Sequence, residues 1–416
     1  MSRLTSALVL MMVSMSATAL AQTPAPASAP QPVTAGWQDG FVLQTGNGDY
    51  RLVMGLNAQM DGRFSLDDPT PIVNTFTIRK ARPTFTGRVA KYFDFKVMPD
   101  FGSGTTALVD AYFDIRFSPK LRVRTGKDKT PVGYELLMGD PYLFFPERAL
   151  ASSLVPNRDV GVQAQGDLAG GKVSYSAGVF NGVLDGASST TDVDTNNGKD
   201  LAARMVVYPF RSTPAAPPPT KLTGLGFHLG GSTGQQIGAL PLFRTSVGQT
   251  YFSYGTGVTA DGGRNRVSPA VFYFYKGFGA FAEYMRSSQA MTRGGVTTDV
   301  ANHAWEGTVS LLLTGETATD RVVRPKNNFD PATGHWGALQ LVARYTALTI
   351  DPKAFANSLA AATASPDAKS FTIAANWFPT AFIKYYMTFE RTTFGKTAAL
   401  ARPAENVILF RTQISF

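Results

Sequence analysis

Val407-Ile408-Leu409-Phe410-Arg411-Thr412-Gln413-Ile414-Ser415-Phe416, the last ten residues, carry the pattern that decides the fold. A β-strand turns successive side chains to opposite faces. Ile408, Phe410, Thr412, Ile414 and Phe416 therefore share one face, and Val407, Leu409, Arg411, Gln413 and Ser415 share the other. The first face suits lipid; the second, with Arg411 and Gln413, suits water. Two architectures produce this alternation: a membrane β-barrel, whose closed sheet satisfies every backbone group, and the edge of a soluble sandwich.

The other end of the chain narrows the choice. Arg3 precedes the apolar run Ala7 to Val13, and Ala19-Leu20-Ala21 gives a small-x-small cleavage pattern before Gln22. This predicts a Sec-type secretory signal peptide over 1–21. Thr23 to Ala35, TPAPASAPQPVTA, is too rich in Pro and Ala to build a core and reads as an extended periplasmic lead over 22–38. No later stretch offers the run of about 18 apolar residues that a membrane helix needs. Composition leans to the barrel: among 416 residues there are 40 Gly, 12% aromatics, 44% hydrophobics and no Cys. Strands that pair each lipid-facing residue with a water-facing one give that balance. Absence of Cys removes disulfides, thiolate metal sites and Cys nucleophiles. The net charge of +9 favours anions as partners in general.

Strand-like segments recur from Tyr50 onward, at 50–64, 76–90, 91–101, 108–118, 121–129, 159–168, 172–181, 201–211, 221–231, 266–276, 278–287, 303–314, 335–347, 370–378, 380–391 and 405–416. That is sixteen, an even number, which predicts an all-β transmembrane antiparallel barrel over 39–416. The connections alternate in length. Short ones fall at Lys91-Tyr92, Ser118-Pro119-Lys120, Ala169-Gly170-Gly171, Lys276-Gly277-Phe278 and Phe378-Pro379-Thr380. Longer polar ones fall near 65–75, 130–158, 182–200, 232–265, 288–302, 348–369 and 392–404. The segment 315–334 breaks this parity, being long on the short-turn side, and 212–220 breaks it mildly. Tyr50, Trp37, Tyr92, Phe93, Trp336, Trp377, Phe378 and Tyr385 sit where interfacial aromatic girdles are expected.

Alternation also assigns charges to the lumen. In 108–117, Val109, Ala111, Phe113, Ile115 and Phe117 face lipid, leaving Asp110, Tyr112, Asp114 and Arg116 inside. Arg122 and Arg124 point inward by the same rule, as do Arg51, Arg63, Lys80, Arg82, Arg88, Lys96, Arg204, Arg344, Lys384 and Arg411. They meet Asp61, Asp94, Asp110, Asp114, Asp167, Glu283, Glu306 and Glu390. Lys80, Arg82 and Arg88 share one face of one strand, so they would form a vertical cationic row. Such a row favours anions over cations in a pore.

Several motifs together resemble the phosphate-selective porin O/P family: Phe76-Thr-Ile-Arg79-Lys80-Ala81-Arg82-Pro83, Tyr92-Phe93-Asp94-Phe95, Gly126-Lys127-Asp128-Lys129-Thr130-Pro131-Val132-Gly133, and Pro146-Glu147-Arg148-Ala149. Leu154 to Val162, Thr314-Gly315-Glu316, Asn376-Trp377 and the last strand extend the likeness from about Asp39 to Phe416. The resemblance implies a sixteen-stranded homotrimeric channel of the Gram-negative outer membrane, surrounded by lipid, whose long third loop folds inward and narrows the pore. It implies inorganic anions, phosphate or polyphosphate, as solutes. The family's paired basic residues fall on Arg79 and Lys80, and its constriction acid on Asp110. Lys127 and Lys129 lie in a matching motif and join Arg79, Lys80, Arg82, Arg88, Arg122 and Arg124 as expected anion-binding, pore-lining residues. Strict alternation puts Lys80 inward and Arg79 outward, so both can serve only if the strand is bulged there or lies at the rim.

Two departures matter. Lys80 stands where the family has a second Arg, exchanging a planar fork for a point charge. Glu135-Leu-Leu-Met-Gly-Asp-Pro-Tyr-Leu-Phe-Phe145, in the third loop, is apolar and acidic where phosphate-selective members carry Lys and Ser. The expectation of phosphate specificity is therefore separable from that of a barrel. A weakly selective porin for small solutes is the alternative; another is a barrel whose loops 232–265 and 348–369 serve adhesion or phage attachment. No enzyme, metal or cofactor is expected. His228, His303 and His335 lack metal-ligand spacing, and no G-x-S-x-G elbow or phosphate-binding P-loop occurs. Export to the envelope also argues against nucleic acid.

Overall fold

The computed structural model describes residues 32–66, 73–190, 194, 196–212, 220–397 and 401–416; the expected signal peptide and most of the lead lie outside them. Twenty strands follow in chain order: β1 (Val33–Trp37), β2 (Phe41–Thr45), β3 (Arg51–Ser65), β4 (Thr75–Val89), β5 (Phe93–Asp100), β6 (Ala107–Ser118), β7 (Leu121–Lys129), β8 (Arg158–Leu168), β9 (Val173–Phe180), β10 (Asp200–Val207), β11 (Leu225–Gly238), β12 (Phe243–Arg244), β13 (Thr250–Phe252), β14 (Thr259–Tyr275), β15 (Phe278–Arg293), β16 (Val296–Leu312), β17 (Ala338–Thr349), β18 (Asp367–Phe378), β19 (Ile383–Phe394) and β20 (Glu405–Ser415). β3 to β11 and β14 to β20 form the wall, each antiparallel to the next. The last strand closes on the first, from Val407↔Ser65 to Ser415↔Asn57. All sixteen expected strands have a counterpart, and the closed sheet leaves no edge in lipid.

Alternation sorts the side chains largely as the sequence predicts; in β6, however, a register shift against β5 leaves Val109 buried and turns Leu108 outward instead. Along β20, Val407, Leu409, Arg411 and Gln413 are buried inside, while Ile414 is exposed on the outer face. β17 buries Gln340, Val342, Arg344 and Thr346 and turns Leu339, Leu341 and Tyr345 outward. Two expected loops are shorter than the sequence suggested. The segment 288–302 is not a loop: β15 and β16 run through it and join at Gly294-Gly295, both at positive φ (58° and 82°), which suits a two-residue hairpin turn. Residues such as Gln289, Thr292, Thr297 and Asp299 lack a lipid-facing apolar set, so polarity disguised the strands. β11 and β14 likewise extend into 232–265 and reduce that loop to 239–258.

Beneath the seam, β1 and β2 form a hairpin, and β2 pairs with β3 from Phe41↔Met54 to Gln44↔Arg51. It occupies the same flank of β3 as β20 and begins where β20 ends. Leu56 and Phe416 exchange backbone hydrogen bonds at 2.9 and 3.0 Å. Gly55 is required there, because a Cβ on it would collide with the Phe416 carbonyl oxygen. Trp37 packs against Phe41, Phe382 and Phe416 with ring centroids 5.0–5.6 Å apart, covering the chain's last residue. Of the expected girdle, Trp37, Tyr50, Tyr92, Phe93 and Trp336 are exposed, and Trp377 stacks on Tyr385. Phe378 instead faces inward, packing with Leu312, Ala318, Val323 and Ala338. Ala318 and Val323 belong to the parity-breaking connection 313–337, which folds back against the wall, while Leu312 ends β16 and Ala338 begins β17.

Candidate pore constriction

Residues 130–157, between β7 and β8, fold into the barrel as a third loop, with a short helix at Tyr134–Leu137 and turns at Asp140–Tyr142 and Leu150–Leu154. Its apolar sequence has a direct structural reason. Val132, Tyr134, Leu136, Leu143, Phe144, Phe145, Leu150 and Leu154 are buried against the inner face of β14 to β20. Tyr134 stacks on Phe272 at 4.7 Å, and Phe144 lies 5.9 Å from Phe281.

Backbone groups of the loop are satisfied by the wall. Tyr134 and Glu135 N–H donate to the Glu283 carboxylate at 2.6 and 3.0 Å. Lys384 Nζ and Tyr386 Oη donate to the Leu143 carbonyl at 2.7 and 3.1 Å, and Asn376 Nδ2 donates to that of Phe144 at 2.9 Å. Arg344 donates to the Glu147 carbonyl at 3.0 Å and pairs with Glu135 at 3.3 Å. Each bond offsets the desolvation of a polar group that would otherwise be buried unpaired.

Toward β3 to β8 the loop presents acids to the basic wall. Glu147 pairs with Arg79 (2.8 Å), Arg63 (2.8 Å) and Arg411 (3.3 Å); Arg63 and Arg411 also hold Asp61. Asp140 pairs with Lys80 (2.7 Å), Arg148 (2.8 Å) and Arg82, and Arg82 also reaches Asp100 at 2.6 Å. Asp110 is held by Lys96 at 2.7 Å and Arg158 at 2.6 Å. Burial alone would push the Glu147 carboxyl up, but Arg79, Arg411 and Arg63 outweigh it and hold it well below the usual carboxylate range. Asp140 behaves alike, burial being overcome by Lys80, Arg148, Lys129 and Arg82.

Arg79 and Lys80 both point inward, and a bulge is the cause. Gln59 pairs with Lys80 but Met60 pairs with Ile78, so Arg79 is an extra residue on β4. Phe76 and Ile78 remain on the outer face above it. The remaining expected residues divide. Lys80 and Arg82 border the third loop, whereas Arg88 lies toward the short-turn end, pairing with Asp94 at 3.0 Å beside Arg116. Arg124 joins Asp114 (2.7 Å) and Asp128 and sits 3.6 Å over the Tyr112 ring; Arg122 reaches Asp114 at 3.4 Å. Lys127 is buried on β7, where it pairs across the sheet with Ala111 and Val160. Lys129 donates to the Leu136 and Met138 carbonyls at 2.7 and 2.6 Å, so it anchors the loop.

Sequence reasoning passed over Asp100, Asp140, Glu147, Arg148 and Arg158 as site residues. Glu147-Arg148 stood inside a recognised motif, which was the available signal. Beside these clusters, on the long-loop side, Arg63, Arg79, Glu147, Arg148, Arg244 and Arg344 border a cavity of about 640 Å3. The loop 239–258 borders this cavity and packs with 350–366: Phe243, Tyr251 and Phe252 are buried with Ile350, Leu359 and Ala364. His228, His303 and His335 lie on β11, β16 and the 313–337 connection; among the described residues no group of three His, Cys, Asp or Glu is placed to hold a metal.

A closed sixteen-stranded wall, lipid-facing outside and narrowed by an inward loop, defines a porin, a channel of the outer membrane. Residues 53–416 match the family of phosphate-selective porins O and P, and the chain belongs to that family. Its fold is similar to that of the outer membrane channel DcaP of Acinetobacter baumannii (12% identity, 90% of this chain and 99% of that one, TM-score 0.57). It is also similar to an anion-selective porin from Comamonas acidovorans (9%, 88% and 100%, TM-score 0.56) and to the trimer form of Vibrio cholerae OmpT (11%, 88% and 99%, TM-score 0.55). Sequence comparison with curated proteins finds no match.

Proposed function

We propose that this porin passes small anions passively, with a weak preference over cations, and that inorganic phosphate or polyphosphate is its leading solute class. One observation carries the reading: each charged cluster beside the third loop holds one more cation than carboxylate. Arg63, Arg79 and Arg411 face Asp61 and Glu147; Lys80, Arg82 and Arg148 face Asp100 and Asp140; Lys96 and Arg158 face Asp110. A passing anion meets a succession of small positive surpluses and can be handed between them without a deep trap. Arg79, Lys80, Arg82, Arg124 and Lys127 supply the field near the loop, and Arg88 and Arg122 supply it toward the short-turn end. Asp110 tempers it, and Lys129 acts through the loop it anchors.

The carboxylate beside almost every one of these cations favours weak selectivity, which keeps a general small-solute porin as the second reading. Packing of 239–258 and 350–366 over the mouth argues against adhesive projections. Residues 1–21 serve as the export signal, 22–38 as a lead and 39–416 as the barrel, assembling as a homotrimer in the outer membrane. The test is the reversal potential of the reconstituted protein in a KCl gradient, followed by titration of phosphate against chloride current. Cation preference would sink the reading; anion preference without phosphate block would reduce the solute class to small anions generally.

A further inference from the structure

Between the inward loop and the 313–337 connection lies a second cavity, of about 170 Å3. Its polar lining is rich in donors. Lys384 is 4% exposed; its Nζ donates to the Leu143 carbonyl and lies 4.0 Å from the Tyr386 ring centroid and 4.8 Å from that of Phe378. No carboxylate among the described residues is within ion-pairing distance of it, unlike the cations on the other side of the loop. Gln340 is 1% exposed, accepts from Asn376 Nδ2 at 3.2 Å, and has no partner for its own Nε2. Arg321 and Arg324 stand at the rim, where Arg324 pairs with Asp39. A buried cation without a counter-ion and a buried donor without an acceptor are both costly, so the two point to the same missing group.

The apolar walls say what that group is attached to. Tyr142, Phe144, Phe378 and Phe382 line the remainder of the cavity. A space of roughly 150 Å3 already accepts a benzene ring. We propose that this cavity binds a small aromatic carboxylate, its carboxylate between Lys384 Nζ and Gln340 Nε2 and its ring among the aromatic side chains. Inorganic phosphate would leave the apolar walls empty, and a neutral aromatic would leave Lys384 unpaired.

The test uses 4-fluorobenzoate as probe, followed by fluorine NMR on the purified full-length protein in detergent. Wild type should bind it saturably, with competition by benzoate and much weaker competition by acetate or benzyl alcohol. Lys384→Met and Gln340→Met should each weaken binding about tenfold or more, the usual effect of losing a hydrogen bond to a charged group. Heat-modifiable electrophoretic mobility reports whether each barrel is folded, and Gln340→Met, nearly isosteric, stands in if Lys384→Met fails to fold. Absence of saturable binding to wild type, unchanged affinity in a folded variant, or acetate competing as well as benzoate would overturn the proposal. Binding is read without current, so its failure is distinct from failure of the anion preference.

Discussion

The inner faces of β3 to β8 and of β14 to β20 follow the same alternation yet present different chemistry. Along β3 to β8, inward positions carry Arg63, Lys80, Arg82, Lys96 and Arg124, each beside a carboxylate. Along β14 to β20 they also include Arg264, Arg266, Arg344, Lys384 and Arg411, but Ser268, Glu283, Thr346, Asn376 and Tyr386 stand among them and bond the third loop or one another. One half of the wall is chiefly a mount for the loop and the other chiefly faces its acids, while the gap between loop and wall is bordered by both, Arg63 and Arg79 on one side and Arg344, Ser370 and Glu390 on the other. The loop itself is two-sided in the same sense, with phenylalanines and leucines against the mount and Asp140 and Glu147 toward the gap. On the proposed reading, selectivity and pore width depend mainly on different halves of the wall, Arg411 of β20 being the residue that joins them, and substitutions should separate the two.

The largest effect is expected from Arg79→Glu combined with Lys80→Glu, on the gap side. Two cations become anions among clusters whose surplus is one charge each, so the reversal potential should change sign while conductance stays of the same order. Unchanged selectivity in a folded barrel would place the filter elsewhere. Next comes the mount: Glu283→Leu leaves two loop N–H groups unsatisfied, at about 1–3 kcal/mol each. The loop should loosen, seen as larger and noisier single-channel current with the sign of selectivity retained. A variant current as quiet and as small as that of wild type would mean that the loop does not depend on Glu283.

A smaller change should follow Asp140→Asn. It removes the carboxylate shared by Lys80, Arg82 and Arg148, so anion preference should rise modestly and heat stability should fall. Lower anion preference would contradict the assigned balance. The smallest effect concerns pH. Glu147 is held below its ordinary range, so the stability that its pairs contribute is present above about pH 4 and is lost only as pH falls through the depressed value. Selectivity measured from pH 7 to pH 5 should therefore stay flat. A transition within that window would assign a different group to the filter.

Much of the wall was readable because lipid imposes a period of two on every spanning strand. Beyond the membrane that constraint lapses, and the ends of β15 and β16 read as loop for that reason. Arg79 illustrates a subtler limit. Alternation sends it to lipid, and only the pairing of Gln59 and Met60 with β4 reveals the extra residue that turns it inward. The cations of the gap were visible on their strands, but their partners were not. Arg82 and Asp140 are 58 residues apart and Arg79 and Glu147 are 68 apart, so only the folded loop brings them together. The apolar run Leu143-Phe144-Phe145 was seen as a departure from the family; its meaning required the wall it packs against.

The bidentate pair between Arg411 and Asp61, at 2.6 and 2.8 Å, joins residues 350 positions apart across the line where the barrel closes. Contacts so distant in the chain are slow to form, because the intervening loop must close before they repay it. The same Arg411 also touches Glu147 of the inward loop. Completion of the seam and completion of one charged cluster are therefore a single event: a barrel still open between β20 and β3 lacks both a closed wall and the full set of ion pairs around Glu147. One side chain thus ties barrel closure to the charged cluster beside the inward loop, and an incompletely closed chain cannot already hold that cluster.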